Sequence, residues 1–196
     1  MKWEEDLTKD VKFHDERDDI DHPFSGVCSP VEFSLCNQQH LIQSFLEIKD
    51  SCKTIVEIGV HRNGDQSSTW CFLNKKNKDT LYLGVDVEDK TFLDNAENNI
   101  HTLKANSSNY QEVVTTLSNL GCSSIDYLFI DGWHSINQVY ADWEFTNLLS
   151  PEGVVGFHDV TNHPGPHAFI NNLNPEKWET SIWCKEDNGI GFAKRI

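Results

Sequence analysis

The chain has 196 residues, 38% hydrophobic and 24% charged, enough apolar content for one packed domain and little room for two. Sixteen basic against thirty-one acidic side chains leave a formal charge of −15. Such a surface repels phosphate backbones and excludes a general nucleic-acid binder, and no apolar run approaches the roughly twenty residues of a membrane helix.

The opening segment, Met1 to Asp21, is charge-dense and lacks the apolar stretch of a signal peptide. His22-Pro23-Phe24-Ser25-Gly26 reads as a turn, and after Ser29-Pro30 the residues Leu35, Leu41, Ile42, Phe45, Leu46 and Ile48 recur near helical spacing. Residues 1–50 are therefore predicted as a helical extension, a lid or subunit contact, ahead of a domain at 51–196. From Thr54 the rhythm changes. Short apolar strands are predicted at Thr54–Gly59, Leu81–Asp86, Ile100–Lys104, Ile125–Asp131 and Gly153–Asp159. Helical segments fall between them, at about Ser67–Leu73, Thr91–Asn98, Tyr110–Leu120 and Ile136–Leu149. That alternation predicts an α/β fold, a doubly wound, mostly parallel sheet covered on both faces. The last two strands, Thr180–Cys184 and Gly189–Ala193, are joined only by Lys185–Asn188, too short for a crossover helix, so they form an antiparallel hairpin. Cys28, Cys36, Cys52, Cys71, Cys122 and Cys184 are scattered with no Cys-x-x-Cys pair. They are expected to be reduced thiols in a cytoplasmic protein, with neither a disulfide framework nor a structural zinc.

Open α/β sheets bind ligands beyond the carboxyl ends of their strands. Here those ends carry Glu57-Ile58-Gly59, then Asp86, Asn106-Ser107-Ser108, Asp131-Gly132-Trp133-His134 and His158-Asp159. A carboxylate such as Asp86 suits the two hydroxyls of a ribose, and a glycine after the first strand admits a ligand close to the backbone. Gly59-x-x-x-x-Gly64 is neither a dinucleotide fingerprint nor a P-loop. Any one acidic strand end also suits a helix cap or turn.

Val56-Glu57-Ile58-Gly59-Val60, Gly84-Val85-Asp86, Phe129–His134 and Pro151–Asp159, in that order, resemble the class I S-adenosylmethionine-dependent methyltransferases. Within them the chain looks most like the metal-dependent sugar O-methyltransferases of macrolide and aminocoumarin biosynthesis. The resemblance implies a Rossmann-like methyltransferase fold with S-adenosylmethionine as cofactor. It places Glu57, Gly59 and Val60 against the methionine part, Asp86 on the ribose, and Asn106 or Ser107 near the adenine. Asp131 and Trp133 are counted with the cofactor-binding residues too. Asp131 is also the first ligand of a divalent metal, magnesium or alternatively manganese, and a catalytic residue beside His134, which takes the proton of the acceptor hydroxyl. The family completes the metal site with a later acidic pair. This chain has His158-Asp159 there, and the imidazole admits manganese, iron or zinc.

The chemistry accounts for these residue types. A sugar hydroxyl is too weak an acid to ionise at neutral pH. A cation stabilises the alkoxide and a histidine near its ordinary pKa accepts the proton. The partner implied is a small-molecule acceptor, with neither nucleic acid nor membrane, in a monomer or homo-oligomer. Two other readings use the same residues: a metal-dependent hydrolase built on Asp131, His134, His158 and Asp159, or a non-catalytic cofactor-binding module. Trp143 reads as core, and His163-Pro164-Gly165-Pro166-His167 as a plain turn or, alternatively, a substrate-facing loop.

Overall fold

The computed structural model describes residues 3–8, 11, 33–60 and 66–196. The turn at His22–Gly26, Ser29-Pro30, Cys28, His14 and the His61–Gly64 stretch lie outside the described residues. The elements are α1 (Trp3–Asp6), α2 (Leu35–Ile48), β1 (Thr54–Ile58), α3 (Ser68–Lys75), β2 (Leu81–Asp86), β3 (Ile100–Lys104), α4 (Tyr110–Asn119), β4 (Ile125–Ile130), α5 (Ile136–Trp143), β5 (Leu149–His158), α6 (Pro164–Asn172), β6 (Trp178–Trp183) and β7 (Ile190–Arg195). Among the described residues no helix is long and apolar enough to cross a membrane.

The seven strands form one sheet in the order β3-β2-β1-β4-β5-β7-β6. The first five are parallel, and β7 runs antiparallel to both β5 and β6. This is the doubly wound sheet with a closing antiparallel pair that the sequence predicts. Side chains alternate between its faces. Val56, Ile58, Leu83, Val85, Leu128, Ile130, Val155 and Phe157 meet Val113, Leu117, Val139 and Trp143 on the α4–α5–α6 face. Ile55, Tyr82, Tyr127, Phe129, Val154 and Phe192 meet Leu41, Phe45 and Phe72 of α2 and α3 on the other.

Serine caps start three helices where the chain leaves the sheet or enters the domain. Ser34 Oγ accepts from Asn37 N–H, Ser67 Oγ from Trp70 N–H and Ser135 Oγ from Gln138 N–H.

Four features depart from expectation. Thr91–Asn98 is two 3-10 turns, Thr91–Leu93 and Ala96–Asn98, instead of a helix. The segment Ile136–Leu149 is helical only to Trp143 before tightening to 3-10 at Glu144–Leu148. The predicted turn or loop at His163–His167 opens α6, with prolines at 164 and 166 in the first turn, where a missing N–H leaves no intrahelical bond unmade. Gly165 N–H instead donates to His134 C=O at 2.9 Å, docking α6 on the start of α5. Finally, Cys36 and Cys184 form a disulfide, contrary to the all-reduced expectation. Folding brings together two cysteines 148 residues apart, a separation that carries no sequence signal.

Candidate active site at the strand ends

The carboxyl ends of β1, β2, β4 and β5 lie side by side, and two residues there, Gly59 and Asp159, turn the chain at positive φ. Gly59 follows β1 at φ +83°, with its N–H donating to Val85 C=O at 2.9 Å. A Cβ on it would lie 2.0 Å from the Asp131 carbonyl oxygen, so only glycine lets the ends of β1 and β4 approach so closely. Asp159 follows β5 at φ +58°. Successive residues of a strand point to opposite faces, but this left-handed residue breaks the alternation, and His158 and Asp159 reach the same place.

At that place His158 Nδ1 lies 3.0 Å from Asp131 Oδ1 and 3.2 Å from Asp159 Oδ2. His134 Nε2 lies 3.2 Å from Asp159 Oδ2 and 3.7 Å from Asp131 Oδ1. Burial works against a charged imidazole, but the two carboxylates outweigh it and carry His158 up to about 10. For Asp131 burial is likewise outweighed, by His158 and His134, which hold its carboxyl well below the usual range. Ligand atoms of Asp131, His158 and Asp159 all lie within 4.8 Å of one another, as do those of His134, Asp159 and His163. Two carboxylates and an imidazole fit magnesium, manganese, iron or zinc, and a bound cation would take the place of the His158 proton. His163, with its ring centroid 4.5 Å from that of His134, joins this cluster. His167 turns away and donates from Nδ1 to Val160 C=O at 3.0 Å.

The residues assigned to a cofactor are spread along the neighbouring ends. Asp86 Oδ2 accepts from Val60 N–H and Oδ1 from Glu88 N–H, each at 2.8 Å, so its carboxylate is held rigidly at the end of β2. Val87 and Trp133, 66% and 54% exposed, are large apolar groups flanking the end of β1. Asn106 is exposed and turns its Oδ1 to Ser108 N–H at 3.0 Å, whereas Ser107 is buried and accepts from Gln138 Nε2 at 2.9 Å.

Glu57 is entirely buried on the α2–α3 face beneath the β1 turn, its oxygens engaged by Ser68 Oγ at 2.5 Å and by the Tyr82 hydroxyl. Burial pushes its carboxyl up to about 7, against the lowering effect of those hydroxyls. The protonated form is thus favoured in the folded state. That contribution is complete below the ordinary value of 4.5 and is lost as pH rises through about 7. Glu57→Gln, a neutral isostere whose amide the hydroxyls can match, is expected to change stability little at acid pH. Above neutrality it should stabilise the protein by about 1–3 kcal/mol. Urea midpoints measured across pH check this, and equal shifts at both extremes would refute it.

Three polar residues escaped the sequence reading. Asn37 of α2 is buried with its amide nitrogen 3.1 Å from His158 Nε2, while its Oδ1 has no hydrogen-bond partner among the described residues. A charged His158 donates from both nitrogens, and a half-turn of the Asn37 amide meets it with Oδ1. Gln138 Nε2 joins Ser107 to Asp142 Oδ1, the latter at 2.9 Å. Asp142 is buried beneath Gly132, and burial pushes it up to about 7 against the hydrogen bonds from Ser107 and Gln138. The available signal was positional: an acid between Val139 and Trp143 on the apolar face of a helix.

Residues 56–160 match the profile of a family described as a methyltransferase domain. No curated protein matches the chain. Among solved structures, the MycE methyltransferase from the mycinamycin biosynthetic pathway, in complex with Mg and SAH, superposes with a TM-score of 0.60 at 12% identity, over 81% of this chain and 49% of that one. CalS11, a TDP-rhamnose 3′-O-methyltransferase in calicheamicin biosynthesis, gives 0.60 at 13% identity over 83% and 81%. The O-methyltransferase TomG from Streptomyces achromogenes, in complex with SAM, gives 0.55 at 14% over 83% and 82%. The likeness is one of fold, and this chain spans about half the length of MycE.

Proposed function

The chain belongs to this methyltransferase-domain family, and from that membership we propose that it transfers a methyl group from S-adenosylmethionine to a hydroxyl of a small polar, sugar-like acceptor, with a divalent cation in the site. The observation that carries the reading is the convergence of Asp131, His134, His158 and Asp159 at the ends of β4 and β5, beside the ribose-type carboxylate Asp86. Structure neighbours solved with SAH or SAM, and MycE with Mg, support it.

In this reading Asp86 takes the ribose hydroxyls, and Gly59 and Val60 admit the methionine part over a backbone braced from below by Glu57. Asn106 and Ser107 lie on the adenine side, with Trp133 and Val87 flanking the ring. Asp131, His158 and Asp159 hold the cation. S-adenosylmethionine, when bound, supplies an electrophilic methyl group, and the cation supplies positive charge beside the acceptor oxygen. His134 Nε2 lies 3.2 Å from Asp159 Oδ2, so the carboxylate would stabilise the imidazolium that forms when His134 takes the acceptor's proton. The ring is 3% exposed, which keeps bulk water from competing for that proton. The division into an extension at 1–50 and a catalytic domain at 51–196 belongs to the same proposal, with α2 of the extension packed on the sheet.

Calorimetry tests the cofactor. The intact protein should bind S-adenosylmethionine, and Asp86→Ala should weaken binding by about 1–3 kcal/mol, roughly 5- to 150-fold. No binding by the intact protein at millimolar ligand overturns the assignment. The second donor group, His134–Asp159–His163, favours metal-dependent hydrolysis as the other reading, because two cations sharing Asp159 would suit a hydrolytic pair. Cofactor-independent turnover of a chromogenic ester would decide for it.

A further inference from the structure

A third cluster of ligand-type side chains lies away from the strand ends. Cys36 and His40 are one helical turn apart on α2, hence on one face, and Cys184 follows β6 at φ +55°. One ligand atom from each, all within 4.8 Å of one another, forms a Cys-His-Cys group whose residues are all half-buried. In the structure the two sulfurs are joined. The disulfide alone gives no role to His40, yet a ring nitrogen lies within 4.8 Å of both sulfurs. The ring is held there by Trp183, which stacks on it at 4.5 Å with the planes 12° apart. Stacking covers the faces of an imidazole and leaves its nitrogens, which lie on the edge, to neighbours in the ring plane.

We propose that Cys36, His40 and Cys184 form a zinc-type cation site in the reduced protein, and that disulfide and metal are alternative occupants of the same three side chains. Thiolate and imidazole donors select zinc over the hard cations suited to the carboxylates of Asp131 and Asp159. Three protein ligands leave the fourth tetrahedral position to water. The interconversion balances. Two equivalents of a small thiol deliver two electrons and two protons to the Cys36–Cys184 bond, giving two cysteine thiols and one small-molecule disulfide. Zinc then binds as each thiol releases its proton to solvent. In reverse, a small-molecule disulfide accepts the two electrons, the S–S bond re-forms and the ion leaves. Either occupant fastens the first turn of α2 to the end of β6.

The other described cysteines offer no competing site. Burial pushes the thiols of Cys52 and Cys71 up to about 12, so both stay protonated, and Cys122 belongs to no group of ligand-type residues among those described.

Cobalt titration of the full chain tests the proposal, because a thiolate-to-cobalt charge-transfer band cannot arise from Asp131, His158 and Asp159. Reduced protein, freed of reductant under anaerobic conditions, should develop that band and the visible absorption of tetrahedral cobalt, with an amplitude that corresponds to one thiolate-bound ion per chain, whatever cobalt the carboxylate site also takes. Zinc should then displace it. The oxidised protein should show no such band, a comparison that needs no variant. Cys184→Ser should abolish it, and His40→Ala should weaken apparent affinity by at least about tenfold, with circular dichroism confirming that each variant is folded. The proposal is overturned by a reduced protein without the band, by a band that survives Cys36→Ser with Cys184→Ser, or by His40→Ala titrating as the parent does.

Discussion

Gly59→Ala is expected to destabilise the domain by about 4 kcal/mol or more, which places it among the most damaging single substitutions. Two penalties combine. The residue sits at φ +83°, where an L side chain costs roughly 1–2 kcal/mol. The new methyl would also lie 2.0 Å from the Asp131 carbonyl oxygen and 2.5 Å from its carbon, both backbone atoms that no rotamer change can move. Relief requires β1 and β4 to part, breaking the Asp131 N–H bond to Ile58 C=O at 2.8 Å and spreading the strand ends of the proposed site. Gly121 is the internal control. It has φ +81°, but no described atom lies within 4 Å of a Cβ there, so Gly121→Ala should incur the conformational penalty alone. Urea denaturation of both variants separates the two terms. Equal losses would show that the close approach of β1 to β4 contributes nothing.

Asp159→Asn is expected to lower methyl transfer by about a thousandfold while leaving the fold and cofactor affinity intact. Asparagine is the residue best suited to replace aspartate at φ +58°, because its short polar side chain also tolerates the left-handed region. What it removes is charge. Asp159 Oδ2 is 3.2 Å from both His134 and His158, so one carboxylate orients the proposed base and completes the proposed cation site. Several kcal/mol of transition-state stabilisation from a bound cation corresponds to roughly this loss, at tenfold per 1.36 kcal/mol. Manganese binding followed by electron paramagnetic resonance should weaken in parallel, and calorimetry with S-adenosylmethionine should not change. Undiminished turnover and manganese affinity in the variant would place the cation elsewhere.

Much of the sheet was legible in the sequence because buried parallel strands leave continuous apolar runs, as at Leu81–Asp86, which matches its predicted bounds; the half-buried edge strand Ile100–Lys104 matches too, though with a weaker apolar pattern. The polar strand ends were legible for a complementary reason: an acid that terminates an apolar run stands out. What the sequence hid is what depends on three-dimensional closure. Pro164-Gly165-Pro166 carries turn-forming residues, and only the docking of Gly165 N–H on His134 C=O shows it to be a helix start. Nothing local marks Asp159 as left-handed, and the alternation of a strand sends neighbours to opposite faces, so the sequence does not show how His158 and Asp159 reach one place. Asn37 meets His158 across 121 residues, and Cys36 meets Cys184 across 148, so neither pairing leaves a spacing to read.

The position of β7 has a consequence for biosynthesis. It is the seventh strand in chain order yet lies inside the sheet, between β5 and β6, with Ile190 opposite His158. As the polypeptide leaves the ribosome, β1 to β5 can pair in turn, but β6 emerges with its only strand partner, among the described residues, still untranslated. Until residues 190–195 appear, β5 remains an open edge, and open edges recruit other chains. The strand bearing His158 is therefore one-sided throughout synthesis of the domain. Ordering of the strand end that carries His158 and loss of the open edge then become a single event, timed by translation of β7.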